Sequence, residues 1–342
     1  MNDLRGSLWR KWDLHIHSPA SYHWKGQQLW QMTATEKETA FRAMVAAIND
    51  SDIAAFAVMD YWTFDGYLGL RKFLKDHPEV KLERSVFPGI ELRCEAPGNF
   101  RLNIHALLSD TLSDQQIADF KNALILRLVD RPLSDEALSD FPNKLAADKL
   151  KLIGATPETL KTAEGRLRIG QETGLITLES LRNALKALPE DHGFLVLPFD
   201  TYGGFEEIEW EKHPVSTTVF MTEADLFEVR RSDLCDLFRG KKTDANARFF
   251  DNFIKTIGRP KPAVSGSDAH KFADFGKYPS DKSGHPRITW VKADPTFKGI
   301  KQLVNEPAAR SFTGEIPHKL IAVRDHRRRP ESCGNCRSLW LS

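Results

Sequence analysis

Short apolar runs of strand length recur along the chain, several ending in an acid or a histidine, and many of the intervals between them have helical periodicity. The first run ends in Asp13-Leu14-His15-Ile16-His17. Thr35 to Asn49 then places Phe41, Met44, Val45 and Ile48 at helical spacing, with Thr33 or Thr35 as a cap, which predicts an amphipathic helix. Ile53 to Met59 reads as the next strand with Asp60 at its carboxyl end, and the strand-helix-strand order is a βαβ-like unit. Further strands are predicted over Ser85 to Glu91, with a Pro-Gly break inside, and over Asn103 to Leu108, Phe194 to Pro198, Leu226 to Val229 and Ala263 to Ser267. Polar groups at strand ends are the layout of β/α barrels, whose strand-end rim carries the chemistry.

Between Leu112 and Leu188 the pattern changes to charged, leucine-spaced segments such as Asp114 to Val129 and Leu178 to Leu188. This predicts a helical insertion over 112–188 within a barrel spanning 1–320. Ile288 to Phe312 returns to a strand and a helix, the helix running from Thr296 to Asn305. From 321 to 342 apolar periodicity ends and a basic tail is expected to be mobile. No period of repeat length recurs, which excludes a solenoid or propeller.

Composition narrows the picture only modestly. The chain has 342 residues, 41% hydrophobic and 28% charged, enough for one barrel with extras. A formal net charge of +1 gives no whole-protein basic field, so contact with nucleic acid requires a local patch. Met1 to Arg10 lacks an apolar core, and no apolar run is long enough to span a bilayer, so a cytoplasmic protein with no membrane partner is expected. Cys94 and Cys235 read as reduced thiols; Cys333 and Cys336 have no second pair to complete a zinc site.

The chemistry is signalled by two strings about 250 residues apart, Asp13-Leu14-His15-Ile16-His17 and Gly266-Ser267-Asp268-Ala269-His270. On a strand, residues two apart share a face, so each string offers two donors to one metal. A first and a last strand meet in a closed barrel. Imidazoles mixed with carboxylates suit Zn²⁺, Mn²⁺ or Fe²⁺ better than an all-oxygen Mg²⁺ or Ca²⁺ site.

Together with Asp60, Pro88-Gly89-Ile90-Glu91 and His105, these strings resemble the PHP family, named for polymerases and histidinol phosphatases. The Arg10-Lys11-Trp12-Asp13-Leu14-His15 opening and the Ile288-to-Phe297 stretch look most like the amino-terminal PHP region of TrlF-type proteins, which continue into an AAA-like or SMC-like ATPase. The resemblance implies an α/β fold, a distorted seven-stranded β/α (TIM-like) barrel, and a cluster of two or three metal ions performing phosphoester hydrolysis. It carries metal-ligand roles onto His15, His17, His23, Glu91, His105, Asp268 and His270, with Glu91 as the bridging carboxylate. Two family positions differ: Asp60-Tyr61 stands where Asp-His is usual, and Leu197-Pro198 where His-Pro is usual. Two ions are therefore expected, with Asp60 or Asp200 as substitute oxygen donors.

Asp268, Glu91 and Asp60 are the candidate catalytic groups. Asp60 is either an acid orienting a ligand histidine or a cap after its strand, and Glu228 is either a site residue or a salt-bridge partner of Arg230 or Arg231. Arg93, Arg230, Arg231 and Lys271 lie near the motifs and are candidate phosphate donors. The expected activity is a metal-dependent phosphoesterase acting on DNA or RNA, by analogy with the ATPase-linked relatives. The alternatives are a small-molecule phosphomonoesterase of the histidinol phosphatase type and a non-catalytic regulatory module. No P-loop string occurs, so the ATPase expected as a partner lies in another domain or subunit.

Overall fold

The computed structural model describes residues 7–209, 212–281 and 284–321. The expected tail, with its arginine run, Cys333 and Cys336, falls outside these residues except for Ile321. The main sheet has nine strands: β1 (Trp9–Ile16), β2 (Ala55–Tyr61), β3 (Ser85–Ala96), β4 (Phe100–Leu108), β5 (Gly193–Pro198), β6 (Leu226–Glu228), β7 (Ala263–Val264), β8 (Thr289–Lys292) and β9 (Ser311–Thr313). Their order is β9-β8-β1-β2-β3-β4-β5-β6-β7. Contacts between β9 and β7, and the Thr313 Oγ1 bond to the Ala263 carbonyl at 3.0 Å, bring the two edges together into a nearly closed barrel.

Seven strands were expected and nine are present. The additional pair, β8 and β9, is antiparallel to its neighbours and fills the gap between β1 and β7. A second departure is β4, which pairs antiparallel with both β3 and β5, whereas β1-β2-β3 and β5-β6-β7 are parallel. Pro88-Gly89 does not break β3: both residues hold register with β2, and a Cβ at Gly89 would lie 2.2 Å from Met59 Sδ.

The barrel interior follows from alternation. Trp12, Leu14, Ala57, Met59, Phe87, Leu107, Val196, Leu226 and Val264 form one buried apolar cluster, and the helix Phe297–Asn305 closes it with Phe297, Ile300 and Leu303. The residues that alternate with these, such as Phe56, Val58, Ile90, Ile104 and Leu197, face a larger cluster shared with the outer helices. The first of those helices, Ala34–Asp50, buries Phe41, Met44, Val45 and Ile48, as its spacing predicts, behind a Thr33–Glu36 capping box.

Between β4 and β5 lies a run of helices including Asp114–Ala123, Asp135–Asp140, Ala163–Thr173 and Leu178–Lys186. The helix expected to reach Val129 stops at Ala123. Beyond it Leu128 and Asp130 have positive φ, and Ile125–Leu126 turns back to pair with Arg131–Pro132. Among the described residues no helix is long and apolar enough to cross a membrane.

At the end of β2, Asp60 is fully buried and accepts hydrogen bonds from the Ser18 amide at 2.7 Å and the Ser18 hydroxyl at 2.6 Å. Gly66, in the first turn of the helix Asp65–Asp76, presses on this pair: an added Cβ would sit 1.9 Å from Ser18 Oγ and 2.1 Å from Asp60 Oδ2. Gly66→Ala is therefore expected to destabilise the fold by about 1–3 kcal/mol through overpacking, despite the better helix propensity of alanine. Denaturant unfolding measures it, and a stabilised variant would refute the contact. Burial pushes the Asp60 carboxyl up to about 7, so the native state holds a proton that the unfolded chain releases near pH 4. Native stability contributed by this group accordingly falls as pH rises from about 4 to 7. In chelator-treated protein, the stability of Asp60→Asn relative to wild type is expected to increase across that window and level off above it; a flat difference would show that the carboxyl is not held protonated.

Candidate metal centre

A regular strand would send Leu14 and His15 to opposite faces. In β1, Asp13 pairs with Phe56 and Ile16 with Val58, so three residues of β1 advance against two of β2, a bulge that turns His15 and His17 to the interior above Trp12 and Leu14. The other strands reach the same level by simple alternation: Tyr61 stands two residues beyond Met59, Glu91 beyond Gly89, Pro198 beyond Val196 and Glu228 beyond Leu226. On the reversed β4 the order runs the other way, so His105 precedes Leu107 and lies within the strand, not at its end, opposite Glu91.

These side chains converge on one buried centre. His15 Nε2 lies 3.3 Å from His17 Nε2 and 3.2 Å from Glu91 Oε2, while Asp268 Oδ1 is 3.4 Å from His17 Nε2, 3.4 Å from His270 Nε2 and 3.7 Å from His15 Nε2. Glu91 spans the centre: its Oε2 is 3.6 Å from His17, and its Oε1 is 3.7 Å from His105 Nε2 and accepts from Asn103 Nδ2 at 3.1 Å. Glu228 Oε2 takes the other side of two histidines, 3.1 Å from His15 Nδ1 and 3.5 Å from His105 Nδ1. That contact leaves the Nε2 lone pairs of both rings facing Glu91.

The electrostatics are those of acids and imidazoles forced together. Burial raises the Glu91 carboxyl, but the neighbouring imidazoles of His105 and His15 outweigh it and hold the group well below its ordinary value. Asp268 is likewise held low against burial by His17, His270 and His15. Burial lowers His17 to about 4, and its neighbours His15 and His270 push the same way. Burial also opposes charge on His15, yet Glu228, Glu91 and Asp268 raise it well above the ordinary imidazole value.

This donor set fits divalent transition ions. Imidazole nitrogens held about 2.1 Å from an ion at tetrahedral angles stand about 3.4 Å apart, close to the 3.3 Å between His15 Nε2 and His17 Nε2. Buried His17 Nδ1, His105 Nε2 and His270 Nδ1 have no hydrogen-bond partner among the described residues. Two trios of donor atoms, His15 with His17 and Asp268, and His15 with His105 and Glu228, lie within 4.8 Å of one another.

The remaining expected residues fall into separate places. His23 is exposed in the loop after β1, its ring 6.1 Å from that of His270 and 4.2 Å from that of Tyr22, outside both trios. Asp60 is 4.0 Å from His17 Nδ1 with its oxygens committed to Ser18, and Asp200 accepts from the Arg230 and Arg231 amides at 2.6 and 2.7 Å, so neither points an oxygen into the centre. Tyr61 lies parallel to His17 at 5.0 Å, and burial, then Glu91 and Asp268, push its phenol far above the ordinary value, so it stands as a neutral ring and not a phenolate. Leu197 faces the outer helices and its neighbour Pro198 faces the cleft.

Among the candidate phosphate donors, Arg230 lines the cleft, with Nη2 3.7 Å from Asp268 Oδ2. Arg93 is turned to the Glu172 carbonyl and the Tyr22 hydroxyl, Arg231 to Glu206 at 2.6 Å, and Lys271 to Asp274 at 3.4 Å. Glu228 joins His15 and His105 in place of the arginines expected as its alternative partners. Asn103 had no place in the sequence reading, although its spacing of two from His105 is the signal that marks both histidine strings.

No protein-family model matches the chain, and no curated protein matches it. Among solved structures, the chain is similar to a protein of Bifidobacterium adolescentis ATCC 15703 provisionally assigned as a metal-dependent phosphoesterase, with a TM-score of 0.38 and 11% identity over 80% of this chain and 94% of that one. It is similar to PsfC of Pseudomonas syringae PB-5123, with a TM-score of 0.38 and 15% identity over 94% and 98% of the two chains. An amidohydrolase of Chromobacterium violaceum, solved with sulfate and no metal, gives a TM-score of 0.36 and 14% identity over 76% and 87%. Similarity at this level transfers no activity, and the functional reading rests on the centre itself.

Proposed function

We propose that the protein is a metal-dependent phosphoester hydrolase of the PHP type that holds two divalent transition ions. The observation that carries this reading is the convergence of the Nε2 atoms of His15, His17, His105 and His270 with Glu91 and Asp268 at separations of 3.2–3.7 Å on a barrel rim. Ions bound there supply Lewis-acid charge and bring the pKa of coordinated water into the neutral range. Glu91 presents one oxygen to His15 and His17 and the other to His105, which suits it to span two sites. Glu228 fixes the tautomers of His15 and His105, and Asn103 fixes the rotation of Glu91. Arg230 is the donor placed to bind a phosphoryl oxygen, because it lines the same cleft and its charge is only loosely matched by Asp268.

A specific observation favours a small phosphoester over nucleic acid. Beside the cleft, and sharing Tyr61 with it, a groove of about 810 Å³ runs between the loop after β1 and the insertion helices. Asp65, Asp135, Glu136, Asp140 and Glu164 line it against Arg166 and Arg168; Asp140 is paired with Arg131 and Arg168 with Glu172, which leaves Asp65, Asp135, Glu136 and Glu164 against the one charge of Arg166. Such a wall repels a phosphodiester backbone.

Chelator-stripped protein is expected to take up two Mn²⁺ or Zn²⁺ per chain and, so loaded, to hydrolyse bis(p-nitrophenyl) phosphate. Asp268→Asn should lower the rate by about 100-fold or more, the scale of losing one polarising group. Full activity in both His15→Ala and Asp268→Asn would overturn the reading, and a folded protein that is metal-free as purified and takes up neither ion would favour the regulatory module instead. A panel of oligonucleotides against small phosphoesters, among them sugar, amino-alcohol and aryl phosphates, separates the two substrate classes, the small esters as a group being turned over faster. Glu228→Gln is expected to weaken metal affinity by about 10- to 100-fold, measured by calorimetry, as removal of a carboxylate that orients ligand histidines does; unchanged affinity would remove Glu228 from the centre.

A further inference from the structure

The cleft over the centre measures about 50 Å³, far below the roughly 300–1,000 Å³ of pockets that enclose a whole small-molecule ligand. It admits a phosphoryl group, and whatever the phosphoryl group is esterified to must lie across the mouth. Among its lining residues Tyr202 is exposed and Thr201 and Arg230 are half-buried, which places them toward solvent.

Tyr202 is unusual among them. It lines the cleft with His15, Glu91 and Asp268, yet it is 80% exposed, one of the most exposed large hydrophobic side chains among the described residues. Its loop is tied down. The Tyr202 carbonyl accepts from Asn103 Nδ2 at 3.2 Å, and the same nitrogen donates to Glu91. The Gly203 carbonyl accepts from the Asn103 amide at 2.8 Å, the Gly203 amide donates to Glu207 at 2.7 Å, and the Gly204 amide returns to the Thr201 carbonyl at 2.9 Å. Gly203 holds a φ of 65°, which suits glycine at this turn. A bare aromatic ring is thus presented on a fixed backbone, linked through one asparagine to the residue that spans the metal centre.

We infer that Tyr202 is a stacking platform for a planar aromatic group on the substrate, either an aryl ring or a nucleobase, carried next to the phosphoryl group. This rests on the phosphoryl-binding reading of the centre given above. Stacking of a base on an exposed aromatic side chain is the interaction such a ring offers, and it tolerates any π face.

Binding of two non-hydrolysable probes to the Mn²⁺-loaded protein tests it by calorimetry. Phenylphosphonate is expected to bind at least about fivefold more tightly than methylphosphonate, the lower end of aromatic stacking. Tyr202→Ala should abolish that preference and leave methylphosphonate affinity and metal content unchanged, while Tyr202→Phe should retain it. If both phosphonates bind equally well, or Tyr202→Ala keeps the preference, the platform is refuted and the phosphoryl site stands. If neither phosphonate binds, the phosphoryl-binding reading fails and the platform fails with it.

Discussion

The structure depends on one close approach, that of the Gly266–His270 segment to β1. A Cβ at Gly266 would sit 2.2 Å from His15 Cβ, so only glycine lets the two backbones meet there. The seam is then stitched by the Asp268 amide to the His15 carbonyl and the His17 amide to the Ala269 carbonyl, both at 2.9 Å. Asp13, fully buried, accepts from the Ser267 amide at 2.9 Å and the Gly276 amide at 3.0 Å. Burial raises its carboxyl and these amides pull it back, which is the compensation a buried acid requires. The same seam brings the two ends of the chain's barrel together and sets Asp268, at a φ of 52°, against both histidines of β1. The contacts that hold this segment against β1 are therefore the ones that set the centre's geometry.

This coupling explains what could be read in the sequence. His15 and His17 were legible because period-two spacing at a strand end needs no knowledge of anything else, and the apolar runs located the strands for the same reason. Asp268 and His270 lie past the end of β7, where Asp268 has a φ of 52°, so there the string carries the donor types and not the geometry. The direction of β4 was not legible, since alternation reads identically in either sense; hence His105 falls within its strand and Asn103 went unnoticed beside it. The strand read at the start of Ile288 to Phe312 is β8, whereas β9 was hidden because it consists of only three residues after the helix, Ser311–Thr313.

The acids show a different limit. Asp60, Asp200 and Glu228 all stand at or just beyond the end of a strand, and composition gives no reason to separate them. What separates them is the nearest donor: a serine amide and hydroxyl for Asp60, two consecutive amides for Asp200, two imidazoles for Glu228. Backbone amides reach a carboxylate wherever the chain turns back on itself, and that is a property of loops far away in sequence. The bulge in β1 belongs here too, because it is the pairing with β2 that reveals the extra residue.

The substitutions at the two atypical positions have unequal consequences. Leu197 lies on the strand face that packs against the outer helices, and the face toward the centre belongs to Pro198, so position 197 does not reach the centre whatever side chain it carries. Tyr61 does stand on the inner face, and its neutral ring lies flat against His17 instead of offering a charge. A large aromatic at that level occupies space as well as forgoing a ligand, and it forms the wall shared by the cleft and the acidic groove. Tyr61 therefore gives the side of the centre facing the insertion an aromatic wall. The strands fix the histidines and acids of the centre, and the loops after β1, β2 and β5 shape what reaches them, the division of labour that barrels impose whenever their rim carries the chemistry.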